Sequence, residues 1–367
     1  MGVAFVKILM IGPDRDVQGG VSTVINNYYL AGLDKIVDLK FIATMKDGSK
    51  IIKLKAAIDG YLEFKKNIEY YEIIHIHMAS RASFYRKSFF VNMAKKKGKK
   101  IIIHMHGAEF RQFYMDESNE KQREYITNIL NKADKIIALS EKWKEFIESI
   151  TKTSVEVVYN SIFIPDVNEK KYDSNQILFL GRLGKRKGVY DLLEVMPALI
   201  KNNKNIKLKI CGDGEVEEVK KYCNNMNLNS NVEINEWIKG EEKERILYES
   251  NIFVLPSYNE GMPMSILEAM SYKNAVLSTE VGGIPEVIIN ENIGVLIKPG
   301  DKEQLYFKLS KLLEDKKLLR SMGENSYKRV SKDFNIKNSI EKLIEIYAEV
   351  KGVGGGYSEC QRNKEIK

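Results

Sequence analysis

Twice along this chain, six short runs of isoleucine, valine and leucine alternate with longer segments whose apolar residues recur at helical spacing. The first set is "FVKILMIG", "VDLKFIAT", "EIIHIHM", "KKIIIHMH", "DKIIALS" and "VEVVYN". The second is "QILFLG", "IKLKICG", "VEINEW", "IFVLPS", "AVLST" and "GVLIKP". Strands that are almost continuously apolar are covered on both faces, and helices between them supply the cover, so the sheets are parallel. The helical patterns fall at Val21–Leu30, Lys50–Lys66 and Asn119–Asn131, then at Tyr190–Lys201, Glu215–Asn225, Glu241–Glu249 and Met264–Tyr272. The pattern predicts an α/β chain with two Rossmann-like domains, each binding ligands at the carboxyl ends of its strands. A length of 367 residues agrees, at about 150 residues per domain.

The break between the two sets is the polar stretch "NSIFIPDVNEKKYDSNQ", residues 160–176, which has a proline and no strong period. The expected domains are therefore residues 1–165 and 166–333. A helix follows over 334–351. The end, 352–367, has no apolar face to bury and reads as a disordered tail.

Several classes are excluded early. No apolar run approaches the roughly 18 residues of a membrane helix. "MGVAFVKILMIG" has a central lysine and no small-residue cleavage site, so it reads as a buried first strand and not a signal peptide. Three cysteines without metal spacing (Cys211, Cys223 and Cys360) fit a reducing cytoplasm. The formal net charge is +8, part of it in Arg81–Lys100, "RASFYRKSFFVNMAKKKGKK". This segment reads either as a solvated basic helix with its aromatics in the core, or as a surface for anionic headgroups or a phosphate-bearing substrate. No nucleic-acid-binding module is present, so nucleic acid is not an expected partner.

Two stretches carry the chemistry. In "FLGRLGKRKGVYDLLE", residues 179–194, a strand ends at Leu180 and a helix begins near Val189. The glycine-punctuated loop between them holds Arg182, Lys185, Arg186 and Lys187. Glycines let backbone N–H groups approach an anion, and the helix start adds partial positive charge, which suits a diphosphate. The Walker order is absent. In "LPSYNEGMPMSILEAM", Glu260 lies in a loop and Glu268 about one turn inside the following helix. One elongated ligand can touch both carboxylates, and each can hold a diol by two hydrogen bonds. Backbone N–H groups near Met262, Met264 and Ser265 point at the same ligand.

Together, "GRLGKRKG" and "EGMPMSILEAM" resemble the donor half of retaining glycosyltransferases of the GT-B fold, family 4 (group 1). Glu260 and Glu268 match the family's E-x7-E, and "STEVGGIPEVI" (278–288) matches a glycine-rich turn of the same half. The resemblance covers about residues 5–350 and implies two Rossmann-like domains facing across a cleft, with the helix after "DFN" packing back on the first. It implies a nucleoside-diphosphate sugar donor, UDP-sugar foremost. Arg182 and Lys187 would neutralise the diphosphate, Glu268 would hold the ribose, and Glu260 would contact the transferred sugar. Gly261, Met262, Pro263 and Met264 complete the donor loop. The base would be read by backbone groups around Trp237–Lys239.

In the first half, Gly19 and Gly20 resemble the family's glycine loop beside the donor phosphates. His106, in "HMHG", matches a family histidine near the transferred sugar. Residues 75, 77 and 104 are the other three histidines, each at a strand end; the two H-x-H pairs are open to three readings, as structural groups, as polar neighbours of the sugar, or as a metal site. The expectation is no metal and no cofactor, with His77 and Glu109 on the acceptor side. "DRD" (Asp14–Asp16) reads as loop charge, and "GDGEVEE" lacks the third glycine of a dinucleotide loop. No Ser-His-Asp order or nucleophile elbow occurs.

The resemblance implies sugar transfer with retention, by a same-face mechanism, onto an acceptor hydroxyl. Its setting would be bacterial surface polysaccharide assembly (capsule, exopolysaccharide or O-antigen), with a lipid-linked sugar acceptor at the inner face of the plasma membrane. Two other readings stand beside it: a nucleotide-sugar epimerase or phosphorylase on the same fold, and a non-catalytic partner subunit.

Overall fold

A computed structural model of the chain describes residues 6–352. Cys360 and all but the first residue of the expected tail lie outside the described residues. Every predicted run forms a strand. The first set gives β1 (Lys7–Gly12), β2 (Asp38–Ala43), β3 (Ile73–Met78), β4 (Lys100–Met105), β5 (Lys135–Ala138) and β6 (Val155–Val157). They form one parallel sheet in the order β2-β1-β3-β4-β5-β6. The second set gives β7 (Gln176–Leu180), β8 (Lys207–Cys211), β9 (Val232–Asn235), β10 (Ile252–Leu255), β11 (Ala275–Thr279) and β12 (Val295–Ile297). Their order, β12-β11-β10-β7-β8-β9, is again all parallel. Each order turns outward from the centre, so a switch point lies where the strand order reverses.

The predicted helices form within a residue or two of their expected ends, as at Lys50–Asn67 and Val189–Asn202. Among the helices not expected are Phe110–Met115 and Glu141–Glu148. Both are too short to show a clear period. The second starts at Ser140, whose Oγ accepts from the Trp143 N–H at 3.2 Å, an ordinary N-cap.

The chain divides into two compact units: one runs to Ser161 and resumes at Ile336, and the other is Ile162–Asn335. The helix Ile336–Lys351 thus belongs with the first sheet. It buries Ile340, Leu343, Ile346 and Tyr347. Glu349 accepts from Lys135 Nζ at 2.7 Å, and the Tyr347 hydroxyl lies 2.7 Å from His75 Nδ1.

Strand parity decides which side chains meet. Ile74, Ile76 and Met78 of β3, with Ile101, Ile103 and Met105 of β4, enter a core that includes Phe64, Phe84, Phe90 and Phe110. Period 2 sends His75, His77 and His104 to the opposite face. All three are fully buried there.

The Arg81–Lys100 segment follows the first of its two readings in its aromatics. Its helix, Ala82–Lys96, buries Phe84 and Phe90 in the core, and of its aromatics Phe89 is the largely exposed one. Lys87 is only 3% exposed and donates to Ser83 Oγ at 3.2 Å, so it offers no surface charge to a headgroup. Arg81 is held by Glu109 at 2.6 Å and Glu117 at 2.5 Å. A helix that covers a parallel sheet must give its apolar face to the sheet, and here that face carries the aromatics.

Cys211 and Cys223 are buried, and burial pushes both thiols up to about 11. The thiolate is the reactive form. Neither cysteine is therefore expected to label with an alkylating reagent in the native protein at neutral pH, while both label in urea. Mass spectrometry reads the labelling, and rapid native labelling of either would contradict the packing.

Candidate active site

The second unit builds its site from loops at the carboxyl ends of β7, β8, β10 and β11. After β7 the chain passes through Gly181–Gly184, a short 3-10 turn at Lys185–Lys187, and the helix Val189–Asn202. After β10 it passes through Pro256–Pro263 into the helix Met264–Ser271, with Pro263 at the N-cap. Glu268 lies one turn inside that helix.

The two loops are stitched together by backbone. The Tyr258 N–H donates to the Arg186 carbonyl at 2.8 Å, and Arg186 Nη1 donates to the Asn259 carbonyl at 2.9 Å. Across this seam Lys187 Nζ forms an ion pair with Glu260 Oε1. Both side chains are withdrawn from water, 13% and 6% exposed. Ser257 Oγ donates to the same oxygen at 2.8 Å. The structure therefore brings Lys187 and Glu260 to one point, although 73 residues separate them.

Glu268 is half-buried and pairs with Lys243 at 2.9 Å. Arg182 extends toward solvent, 68% exposed, with Nη1 3.3 Å from Asp213. An exposed pair of that kind contributes at most about 1 kcal/mol, which leaves the guanidinium available to an anion. Gly261, Met262, Pro263 and Met264 are all buried in the loop beside Glu260.

Sequence reading missed the groups that hold this loop in place. Thr279 Oγ1 donates to the Ser257 carbonyl at 2.6 Å, and Ser278 Oγ to the Leu255 carbonyl at 2.7 Å. The Gly283 N–H donates to the Gly261 carbonyl at 2.6 Å. Gly282 has φ +56°, and a Cβ there would meet the Glu260 carbonyl oxygen at 1.9 Å. The glycine pair in "STEVGGIPEVI" was the available signal. "GDGEVEE" also has a use that its sequence hid. Its Gly212 lets β8 close on the β7 loop, since a Cβ would stand 1.9 Å from the Gly181 carbonyl oxygen. The Leu183 N–H donates to the Asp213 carbonyl at 2.6 Å, and the Glu215 N–H returns to Leu183 at 3.1 Å.

In the first unit, Gly19 is the N-cap of the helix Gly20–Leu30, and a Cβ at either glycine would meet nothing within 4 Å. The four histidines form one group. His77 and His104 are register partners on β3 and β4. His106, just past β4, continues the ladder through its N–H to the Met78 carbonyl at 2.7 Å. Its Nε2 lies 2.8 Å from His77 Nδ1. His77 is fully buried, so it stands behind His106 and not at the surface. Glu109 sits at the N-cap of Phe110–Met115, paired with Arg81. Asp14 pairs with Lys46 at 3.2 Å and caps its own turn through the Asp16 N–H at 3.0 Å, as a loop charge does.

Residues 160–329 match the family model for glycosyl transferases group 1, and residues 41–163 match that for Glycosyltransferase Family 4. The chain is 28% identical over 268 residues to an uncharacterized glycosyltransferase of Methanocaldococcus jannaschii, covering 68% of each. It is 27% identical over 345 residues to a UDP-Gal:alpha-D-GlcNAc-diphosphoundecaprenol alpha-1,3-galactosyltransferase of Escherichia coli, covering 87% of this chain and 85% of that one. Among solved structures, sucrose-phosphate synthase from Thermosynechococcus elongatus superposes with a TM-score of 0.79 at 18% identity, over 95% of this chain and 100% of the other.

Proposed function

This chain belongs to the group 1 (family 4) glycosyltransferases of the GT-B fold, and on that premise we propose that it is a retaining enzyme using a nucleoside-diphosphate sugar, UDP-sugar first. The observation that carries the reading is the buried Lys187–Glu260 pair, which ties the two motif loops at one point. Lys187 and Arg182 face the diphosphate, where negative charge grows as the sugar leaves. Fixed charges aimed at that growth are usually the largest catalytic contribution. Both hydrogen bonds on Glu260 end on Oε1, which leaves Oε2 for a sugar hydroxyl. Glu268 holds the ribose diol from the adjacent helix. Among the described residues Glu260 is the carboxylate paired with Lys187, and a same-face route fits this better than a covalent one.

The test is a panel of UDP-, GDP- and ADP-sugars incubated with the purified protein, with and without a lipid-linked acceptor. Release of the nucleoside diphosphate is the readout. One donor should be turned over with acceptor present. Glu268→Ala should raise its KM about tenfold to a hundredfold with kcat little changed, the loss of a charge-assisted hydrogen bond pair made equally in ground and transition states. No release from any donor would sink the reading. Interconversion of the sugar without acceptor would replace it with epimerisation.

The relative from Escherichia coli names a diphosphoundecaprenol-linked acceptor, which supports a lipid-linked sugar acceptor here. No helix among the described residues is long and apolar enough to cross a membrane. A peripheral contact is proposed instead through the helix Lys50–Asn67. It buries Ala56, Gly60 and Phe64 and exposes Ile51, Leu54, Ile58 and Leu62, flanked by Lys50, Lys53 and Lys55. Apolar side chains at 62%, 50% and 57% exposure (Leu54, Ile58 and Leu62) suit an acyl boundary, and the lysines suit anionic headgroups. The variant I51D/L54D/I58D is expected to weaken sedimentation with phosphatidylglycerol vesicles at least tenfold. Unaltered sedimentation would remove this helix as the contact.

A further inference from the structure

The group of four histidines has more nitrogen than its hydrogen bonds use. Its rings stack across β3 and β4, with centroids 4.6 Å apart for His75 and His77, 5.0 Å for His77 and His104, and 4.2 Å for His104 and His106. His77 Nε2 and His104 Nε2 are buried and have no hydrogen-bond partner among the described residues. Buried polar atoms without a partner are rare in folded proteins, and one explanation for them is a bound ion.

Each of His75, His77 and His104 offers one nitrogen within 4.8 Å of the others. His75 Nε2 and His104 Nδ1 share a hydrogen bond of 3.3 Å, which an ion between them would replace. Two nitrogens each about 2.0–2.1 Å from a tetrahedral ion have about that separation. We propose that His75 Nε2, His77 Nε2 and His104 Nδ1 form a buried three-imidazole site for a d10 metal ion, Cu(I) or Zn(II), in the first unit.

The second nitrogens of His75 and His77 are already placed as such a site requires, while that of His104, Nε2, has no partner among the described residues. A metal-bound imidazole donates its other N–H to an acceptor that fixes the ring. His75 Nδ1 lies 2.7 Å from the Tyr347 hydroxyl, and His77 Nδ1 lies 2.8 Å from His106 Nε2. The His77 ring has to tilt inward to complete the set, against its stacking on His75, His104 and His106. Among the described residues, the charged side chain acting on His77 and His106 is Lys87. A site without anionic ligands holds Cu(I) with the least buried charge. Zinc would bring a hydroxide as its fourth ligand. The site sits behind His106, so the ion would fix the His77 ring that His106 leans on. This inference does not rest on the donor reading, because none of its residues belongs to the second unit.

The experiment uses the full chain, free of any affinity tag and stripped by a chelator. Zn(II) is titrated against a chromophoric chelator, and Cu(I) in a separate anaerobic arm against bicinchoninate. One equivalent bound tighter than micromolar is expected in at least one arm. His77→Asn and His104→Gln should each weaken it more than a hundredfold. Tyr347→Phe, which removes only a hydroxyl, should weaken it about tenfold to a hundredfold. X-ray absorption of the loaded wild-type protein counts the ligands without any variant, and three imidazoles are expected. No stoichiometric ion in either arm overturns the proposal. So does a sulfur or carboxylate ligand, or full affinity in a folded His77→Asn protein.

Discussion

Lys187→Ala is expected to lower turnover of the donor sugar about a hundredfold to a thousandfold, the usual cost of removing one preorganised electrostatic contact to developing charge. The same substitution should destabilise the second unit. It removes one partner of an ion pair that is almost fully withdrawn from water, leaving the Glu260 carboxylate with Ser257 alone. Breaking a buried pair in this way costs about 3–5 kcal/mol, whereas removing both charges together can cost little. The double variant K187M/E260Q should therefore recover most of the urea midpoint lost by Lys187→Ala and none of the activity. That split separates a role in holding the loops from a role in the chemistry. Turnover within a few-fold of wild type in Lys187→Ala would show that the pair is structural only.

Gly282→Ala should be nearly as damaging, although the residue offers no side chain to a ligand. Its φ of +56° costs an alanine about 1–2 kcal/mol. A methyl group 1.9 Å from the Glu260 carbonyl oxygen cannot be accommodated without moving that loop, and overpacking of this kind costs a further 1–3 kcal/mol or so. The displaced backbone is the one that carries Glu260 and accepts from the Gly283 N–H. Thermal unfolding should occur at a lower temperature, and donor affinity, read by calorimetry with the nucleoside diphosphate, should fall with it. A variant with the wild-type midpoint and wild-type affinity would mean that the loop relaxes freely, and that its position does not matter to the site.

Much of this was legible in the residues themselves. The strand runs were read within a residue or two because a parallel sheet buries both faces, and only long apolar, β-branched runs can do that. Glu260 reads as a loop residue and Glu268 as one turn into a helix because proline, here Pro263, is favoured at a helix start. The Arg81–Lys100 segment is open to two readings from its sequence. Charge and aromatic content do not state which face of a helix is turned inward, and Lys87 went with the buried face.

The sequence by itself determined the local order: twelve strands, their alternation with helices, the glycine turns and the two carboxylates. Each follows from interactions among residues a few positions apart, such as φ limits, period and capping. Only the tertiary structure decided which distant groups meet. Lys187 found Glu260, Gly282 came under Glu260, and Tyr347 from the last helix reached His75. Those meetings depend on strand order and register. Strand order is fixed by how whole sheets bury their faces, and no short stretch of sequence contains that information.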